Sequence, residues 1–401
     1  MGNSTDEATA TAAPTPVPLF VDDLLAAASG ATGLTDFGDR QFVKGLTTLT
    51  DALRSEARLN AMGHLMVSGG LIRLLSNRLR YQRDVTQHPE IRDEKIAAPI
   101  IILGLPRTGT SKLQRVMSAD PTVQRLEFWR TINPAPFPGE EPGNPKARIE
   151  AGLLVENTLS TMFPGWMARH PMEALEPDEE LHIMDMSFEC VISWLFSRVP
   201  SFYTYINQCD PHPTYNILHA MLQYLQWQDG GGRGRPWIMK SPVHIGALPT
   251  LIETFPDATI VHCHRDPRKV IPSFASLIEE GRKMGSDSVD PLEIGRDMLN
   301  HWGDQIDRNL KARESLPASR IMDVQFEEIM KDDVGVIRRI YQRAGRTLTP
   351  EAIAAFKDYD ARRPDKHWGQ YEYTAEQYGL NDAIIDERFE EYRKRFITAG
   401  K

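Results

Sequence analysis

Apolar residues recur at three- and four-residue spacing from Val21 to about Arg83, which is the period of a helix with one buried face. Two adjacent glycines, Gly69 and Gly70, lie within this stretch, and glycine weakens a helix interior. The pattern therefore predicts an N-terminal helical segment over residues 19–95, in which two helices are separated at the glycine pair.

The period changes at Ala98, where the wholly apolar run APIIILGL begins. A short run of β-branched residues without polar alternation is typical of a strand that is covered on both faces. A turn rich in glycine and threonine follows, and then the helical stretch TSKLQRVMSAD. Strand, glycine turn and helix form the opening unit of a doubly wound sheet.

Three further runs are predicted to be strands of the same sheet, namely PWIMK (236–240), ATIVHCH (258–264) and RIMDVQF (320–326). Pro267 stands where a helix after the second of these would begin. Residues 145–228 are mainly helical in pattern. We therefore predict an α/β fold over residues 96–401, a doubly wound parallel sheet flanked by helices, with a helical insertion at about 140–230.

The 401-residue chain has a net charge of −9, which argues against nucleic acid as a general partner. A local basic pocket can still bind an anion in such a protein. The three cysteines contain no CxxC pair and provide neither a disulfide framework nor a zinc site, so we expect no metal and a reducing compartment. The sequence leaves a homo-oligomer open.

The first 18 residues, MGNSTDEATATAAPTPVP, lack the basic and apolar regions of a secretory signal. Their composition predicts a disordered tail over residues 1–18. No apolar run approaches the ~18–20 residues that cross a bilayer, so we expect no membrane span. A cytoplasmic location is the expectation that follows.

The loop after the first predicted strand is close to a phosphate loop. In GLPRTGTS (104–111) the residues Gly104, Gly109 and Ser111 match GxxxxGK[ST], while Thr110 takes the lysine position. Glycines let backbone N–H groups approach an oxyanion, and the next helix adds the positive end of its dipole. Arg107 supplies a cation, but the lysine that reaches the β- and γ-phosphates of a nucleoside triphosphate is missing. The loop predicts a P-loop-type fold with an anion site not built for ATP; a plain glycine turn is the alternative.

A second basic site follows the strand 258–264. Arg265 ends that strand, and Ser273 lies eight residues later in the next predicted helix. An arginine at the carboxyl end of a strand points into the crevice where doubly wound sheets bind ligands. A neighbouring hydroxyl can complete a site for a phosphate. With the glycine loop, this pair predicts a ligand that has two separated anionic groups.

Taken together, these segments resemble the sulfotransferase superfamily that uses 3′-phosphoadenylyl sulfate, in its bacterial form. The segment IILGLPRTGTSKL is similar to the family's 5′-phosphosulfate loop, and WIMKSPVHIGAL to its Lys/His strand and loop. The segment IVHCHRDPRKVIPSFASL resembles its 3′-phosphate strand and helix. DVQFEEIMKD and the C-terminal RRPDKHWGQYEYTAEQYGL and FEEYRKRF extend the resemblance to about residues 98–398, and residues 1–95 carry none of it.

The resemblance implies transfer of a sulfuryl group from 3′-phosphoadenylyl sulfate to a hydroxyl of a small acceptor. The aromatic and methionine residues of 161–227 favour a hydrophobic acceptor. Lys240 would approach the transferring group. The residues that would bind the donor are Arg107, Thr108, Gly109, Thr110 and Ser111 at the 5′-phosphosulfate, and Arg265 and Ser273 at the 3′-phosphate. Counterparts of a basic C-terminal loop over the 3′-phosphate are Arg362, Arg363 and Lys366.

Three residues compete for the role of general base. His244 follows a predicted strand, close to the position at which one sulfotransferase branch has a histidine. The spacing between Lys240 and His244 is two residues longer than in that branch. Glu127 lies six residues after Pro121, the offset at which the tyrosylprotein branch has its glutamate base. His170 belongs to the helical insertion that should wall the acceptor pocket. A histidine suits a base at pH 7 without tuning, whereas a glutamate needs a raised pKa or a strongly acidic acceptor.

Each of these candidates also has a structural interpretation. His244 could cap the following helix, Glu127 could pair with a neighbouring arginine, and His170 could lie on the surface of a loop. Two other functions also stay open at this stage, a nucleotide-dependent kinase or NTPase and a non-catalytic binding protein on the same fold. The missing P-loop lysine speaks against the first, and the complete set of basic residues speaks against the second.

Overall fold

The computed structural model describes residues 16–232, 234–362 and 371–398. Its centre is a five-stranded parallel sheet with the strand order β2-β3-β1-β4-β5. The strands are β1 (Ile100–Gly104), β2 (Gln124–Arg125), β3 (Trp237–Lys240), β4 (Thr259–His264) and β5 (Ile321–Gln325). All five lie parallel with β1 at the centre, which confirms the predicted doubly wound fold.

Helices account for most of the remaining described chain. The first half contains α1 (Val21–Thr32), α2 (Phe42–Ser55), α3 (Ala61–Gln87), α4 (Thr110–Met117), α5 (Phe128–Ile132), α6 (Lys146–Met162), α7 (Pro164–Arg169), α8 (Leu181–Met184), α9 (Ile192–Phe196), α10 (Pro200–Ile206) and α11 (His212–Gln228). The second half contains α12 (Leu248–Thr254), α13 (Pro267–Lys283), α14 (Pro291–Glu314), α15 (Phe326–Lys331), α16 (Asp333–Arg343), α17 (Pro350–Arg362), α18 (Asp382–Arg388) and α19 (Glu390–Arg393).

The two faces of the sheet belong to two separate apolar clusters. Alternate residues of β1 divide between them, since Ile101 and Leu103 join one cluster while Ile100 and Ile102 join the other. The larger cluster also contains core residues of α1, α2, α3, α11, α13 and α14, and the smaller one contains those of α4 and α16. Because both faces are covered, β1 and β4 are buried at every position, which explains their wholly apolar or aromatic-rich patterns.

The predicted helix break at Gly69 and Gly70 is wrong. The helix α3 runs without interruption through both glycines, and the chain instead breaks between α2 and α3, where Arg58 has a φ of 51° and Asn60 caps α3. The apolar residues of α3 on the C-terminal side of the glycines are buried in the larger cluster. This burial outweighs the roughly 1 kcal/mol that a glycine costs in a helix interior.

The remaining predicted elements are found close to their predicted positions. Pro267 is the first residue of α13, and the region 145–228 contains α6 to α11. The two-residue edge strand β2 was not predicted. Residues 1–15 of the predicted tail lie outside the described residues. None of the helices in the described ranges has the length and apolar character needed to cross a membrane.

Candidate active site

Three segments that are distant in sequence meet at the carboxyl edge of the sheet. The strand β1 pairs with β3 on one side and with β4 on the other, so their last residues Gly104, Lys240 and His264 end close together. The loop 105–109 follows the first of these residues, and Arg265 follows the last. This is the crevice in which doubly wound sheets bind ligands.

The loop 105–109 is shaped as a cradle for an anion. A Cβ atom added at Gly104 would lie 2.5 Å from the backbone oxygen of Cys263, so only glycine fits there. Gly109 has a φ of 84°, in the left-handed region, and precedes the first turn of α4. Arg107 also has a positive φ, of 69°, which is uncommon for a residue with a side chain and typical of ligand sites. The Thr108 hydroxyl is buried and donates to the Leu105 carbonyl oxygen at 2.7 Å, which closes the loop.

Two arginines of this cradle have no carboxylate partner. Arg107 donates to the Arg169 carbonyl oxygen at 2.8 Å and to the Tyr371 hydroxyl at 2.6 Å. Arg265 donates to the Arg107 carbonyl oxygen at 2.8 Å, and its guanidinium lies 3.9 Å from the ring centre of Phe326. Within the described ranges, no acidic side chain lies within 4.0 Å of either guanidinium. Burial lowers the pKa of Arg265, and the like charge of the neighbouring Arg107 lowers it further. An anion bound between the two arginines would offset both effects.

The other predicted residues of the donor site lie on the adjoining helices. Thr110 and Ser111 form the first turn of α4, and Thr110 is buried while Ser111 is exposed. Ser273 is buried in α13, the helix that begins two residues after Arg265. Arg362 is exposed at the end of α17 and pairs with Asp358 at 2.7 Å. Arg363 and Lys366 lie outside the described residues.

Lys240 is buried at the end of β3 and is held by two neighbouring glutamates. Its Nζ donates to Glu179 Oε1 at 2.6 Å, and its backbone N–H donates to Glu180 Oε2 at 3.0 Å. The Ser241 hydroxyl donates to the second oxygen of Glu179 at 3.2 Å. The side chain of Lys240 is only 3% exposed, so its charge is balanced by one carboxylate rather than by water.

His244 is fully buried and bridges two side chains. Its Nε2 lies 2.6 Å from Glu180 Oε1, and its Nδ1 lies 2.7 Å from the hydroxyl of Tyr215. Because a carboxylate only accepts hydrogen bonds, Nε2 donates to Glu180, whereas the Tyr215 hydroxyl is able to donate to Nδ1 or to accept from it. Since Glu180 also binds the backbone of Lys240, this chain of hydrogen bonds fixes the end of β3. The geometry is that of a positioning residue.

Replacing His244 by alanine is expected to lower the free energy of unfolding by about 2–4 kcal/mol, because it opens a cavity and removes the hydrogen-bond partner of Glu180 Oε1 and of the Tyr215 hydroxyl. Thermal unfolding of the wild type and the variant measures this change. Tyr215→Phe is the milder comparison and should cost about 1 kcal/mol. If the His244→Ala protein keeps its stability but loses all turnover, the result would instead indicate that His244 is the general base.

Glu127 lies in a different cavity. It is the residue before α5, and its Oε1 accepts from Arg125 at 2.8 Å while Oε2 lies 3.7 Å from Arg130. The cavity around it has a volume of about 370 Å³ and polar walls that also include Asp120 and Arg235. The residues lining this cavity include none of the glycine loop, Lys240 or Arg265. The structure therefore does not bring Glu127 together with the other candidates.

A mainly apolar cavity of about 280 Å³ opens beside the glycine loop. Its polar wall consists of Arg107, Thr110, Ser111, His170, Asp178, Glu179 and His182. Its apolar walls come from α6, α7, α9, α13 and α14, with Leu159, Trp166, Leu195, Phe196, Leu277, Ile278 and Trp302 among the lining residues. Among the described residues that line it, Pro242 and Val243 are present but His244 is not. The cavity suits an apolar molecule with one polar end.

The charged groups at the polar end differ in their pKa. Burial lowers the pKa of His170 and of His182 to about 4 in both cases, so both rings are neutral at pH 7. Burial raises the pKa of Asp178, but its electrostatic interactions with His170, His182, Lys240 and Arg115 outweigh this effect, and the pKa falls below its ordinary value. Burial raises the pKa of Glu179 above its ordinary value, with Lys240 acting against this effect. Glu179 is therefore the stronger base of the two carboxylates.

The sequence analysis did not single out Asp178, Glu179 or His182. They lie in EPDEELH, where three acidic residues precede an apolar helix start. Runs of charge are usually solvated, but this one is folded inward and Glu180 is completely buried. The isolated bridge between Glu127 and Pro177 joins the segment before this run to the sheet edge. The signal that could have identified them is a run of acidic residues in a sequence whose other motifs predict a basic pocket.

A second titratable cluster lies on β4 and β5, away from the cavity. Ligand atoms of His262, His264 and Asp323 lie within 4.8 Å of one another. Arg313 donates to His262 Nδ1 at 2.7 Å and to Asp323 Oδ1 at 2.7 Å, so a guanidinium already occupies the position of a cation. We interpret this cluster as an ion-pair network, buried at His262, His264 and Arg313 and exposed at Asp323, that joins α14 to the sheet.

Comparisons with known proteins agree on one family. A family model with the description Sulfotransferase family matches residues 99–350. The omega-hydroxy-beta-dihydromenaquinone-9 sulfotransferase Stf3 of Mycobacterium tuberculosis is 25% identical over 303 residues, which cover 74% of either chain. The crystal structure of sulfotransferase STF1 from Mycobacterium tuberculosis H37Rv is 30% identical with a TM-score of 0.77, covering 94% of this chain and 99% of that one. That of STF9 from Mycobacterium avium is 26% identical with a TM-score of 0.84, covering 96% and 98%.

Proposed function

The chain belongs to the sulfotransferase family and is an enzyme with sulfotransferase activity, and we propose that its donor is 3′-phosphoadenylyl sulfate and its acceptor a hydroxyl of a small, largely apolar molecule. One observation carries this proposal, which is that the glycine loop and the apolar cavity share a wall. Arg107, Thr110 and Ser111 line the cavity beside Glu179. An acceptor in the cavity would thus present its hydroxyl beside a site for an anion.

The chemistry of the site fits a donor with two anionic ends. Residues 107–111 would hold the 5′-phosphosulfate, where the missing Cβ at Gly104 leaves the backbone close to Cys263. Arg265 and Ser273 would hold the 3′-phosphate. Two guanidiniums without a carboxylate partner support this assignment, because a partly buried cation is costly until an anion pairs with it. The donor, when bound, supplies a sulfuryl group attached to the 5′-phosphate of a nucleotide as leaving group.

Glu179 is the side chain that we propose as proton acceptor. It lines the cavity, and burial moves its pKa towards the working pH, which favours a general base. His170 also lines the cavity, but a pKa of about 4 makes it a weak base, and we assign it to hydrogen bonding of the acceptor. Asp178 has one buried oxygen, Oδ2, without a hydrogen-bond partner among the described residues and is a second anchor for the acceptor.

Lys240 connects the two halves of the reaction. In the free protein it neutralises Glu179 at 2.6 Å. By turning towards an anion in the glycine loop, Lys240 would release the carboxylate and stabilise the charge that develops on the leaving phosphate. Glu179 then takes the proton of the hydroxyl, whose oxygen bonds to sulfur as the bond from sulfur to the 5′-phosphate breaks. The products are the sulfate ester, the 3′,5′-bisphosphate and protonated Glu179, so atoms and charge balance.

We expect the chain to bind adenosine 3′,5′-bisphosphate at least about tenfold more tightly than adenosine 5′-phosphate or ATP, because Arg265 offers a charged hydrogen bond to the 3′-phosphate and no lysine is available for a γ-phosphate. Titration calorimetry with the three nucleotides measures the difference. Arg265→Ala should abolish the preference while its thermal unfolding stays near that of the wild type. Equal affinities for ATP and the bisphosphate would instead favour a kinase or NTPase.

A further inference from the structure

One flank of α6 is an uncharged surface. At 3.6 residues per turn, six of its residues project within about 100° of arc, namely Ala147, Ala151, Leu154, Val155, Thr158 and Met162. None of them is charged, and three are exposed apolar side chains, with exposed fractions of 67% at Leu154, 49% at Met162 and 36% at Val155. We call these six residues the α6 apolar face.

The charged residues of α6 are directed elsewhere. Arg148 turns inward to Glu140 at 2.7 Å, and Glu156 accepts from the backbone N–H of Ala174 at 2.7 Å. Lys146 and Glu150 lie 3.8 Å apart on the side of the helix opposite its buried residues Arg148, Gly152 and Leu159. The lack of charge on the α6 apolar face is thus a property of that one side rather than of the helix.

The α6 apolar face is continuous with the acceptor cavity. Leu159 lines the cavity, and Val155 and Met162 lie four residues before it and three residues after it, which makes them its neighbours on the helix surface. Trp166 of the next helix extends the cavity wall. An unbroken apolar path therefore leads from the cavity to solvent.

The volume of the cavity limits how much of an acceptor it can enclose. A volume of about 280 Å³ lies just under the ~300–1,000 Å³ of sites that enclose a whole drug-sized ligand. An acceptor with a long apolar chain would fit only with its hydroxylated end inside, and the chain would have to leave along an apolar surface. In water that exit is unfavourable, whereas in contact with lipid it is not.

From this geometry we infer that the α6 apolar face docks on a lipid surface, from which the cavity takes up the hydroxylated end of a long-chain lipid acceptor; the inference rests on the proposed function. A second copy of the chain is a poorer occupant. A 17-residue helix is about 25 Å long and about 10 Å wide, so its face offers about 250 Å², against the ~800 Å² per partner of a stable interface. Shallow insertion of a few apolar side chains suffices for reversible contact with a lipid surface.

Flotation of the full chain with vesicles of zwitterionic phosphatidylcholine tests the inference. The triple substitution Leu154→Glu, Val155→Glu and Met162→Glu should weaken vesicle binding at least about tenfold, because charged side chains are excluded from the lipid. The matched control carries Leu292→Glu, Met330→Glu and Ile384→Glu, three exposed apolar residues elsewhere on the described surface, and should bind within twofold of the wild type.

Absence of vesicle binding by the wild type, or an equal loss in both triple variants, would overturn the inference. A wild-type dimer in light scattering that only the α6 variant dissociates would also overturn it, since a second copy would then cover the face. Turnover of a short, water-soluble hydroxylated acceptor by all three proteins tests the proposed function separately. Its absence in all three contradicts that function without changing the vesicle result.

Discussion

Lys240→Met is expected to lower kcat by about 10²–10³-fold, because in the proposed mechanism Lys240 would stabilise charge that develops only in the transition state. Affinity for the 3′,5′-bisphosphate should change by less than about threefold, since Arg107 and Arg265 carry the binding of the two phosphates. Single-turnover kinetics with calorimetry on the same preparation separates the two effects. Methionine keeps the length of the buried stem at the end of β3.

Two comparisons make this result specific. Lys112→Met removes another lysine at the same end of the sheet, one that is paired with Asp333 at 2.8 Å, and should leave kcat nearly unchanged. The double variant Lys240→Met with Glu179→Gln removes the unpaired carboxylate that the single variant leaves behind. A Lys240→Met enzyme with normal kcat and weakened bisphosphate binding would show that this lysine only binds the donor.

Glu179→Gln should reduce kcat by about 10²–10⁴-fold, the usual contribution of a general base. Only the ionised carboxylate accepts a proton, and burial raises its pKa above the ordinary value, so wild-type activity should decline as the pH falls through that raised pKa. The variant should lose this acidic limb of the pH–rate profile. A pH series of kcat with a fixed acceptor records both effects.

Two of the three earlier candidates, Glu127 and His170, serve as controls for this assignment. Glu127→Gln makes the same chemical change in the separate polar cavity and should keep more than a tenth of wild-type turnover. His170→Gln should mainly raise the KM for the acceptor, because the ring lines the cavity. If Glu127→Gln or His170→Gln abolishes turnover while Glu179→Gln retains more than about a tenth, a range too small for a lost base, the role of base passes to that residue.

The sheet and the position of the glycine loop could be predicted because their signals are local. A buried parallel strand is an unbroken apolar run, and a glycine loop between strand and helix has a fixed spacing, so Gly104, Arg107 and Arg265 fall where the pattern places them. Strand order then brings Lys240 beside them, since β3 pairs directly with β1.

The acceptor side could not be predicted in the same way, because it depends on packing between distant segments. His244 is buried only because Glu180 and Tyr215 lie against it, 64 and 29 residues away in the chain. The acids at 178–180 have the local pattern of a solvated run, and only the fold turns them towards Lys240. The continuous α3 shows the same effect, since tertiary burial overrides the local weakness of two glycines.

The residues that line the cavity come from two different parts of the chain, and this affects how the acceptor preference of the enzyme could change. The sheet loops and α13 supply the anion cradle, whereas the chain between β2 and β3 supplies Glu179, His170 and about half of the apolar lining. Recombination or grafting of that one segment between homologues would therefore replace the shape of the pocket and the proton acceptor together. Acceptor preference and the proposed base would change together in such a graft, whereas Arg265 and Ser273, which do not line the cavity, would be left as they are.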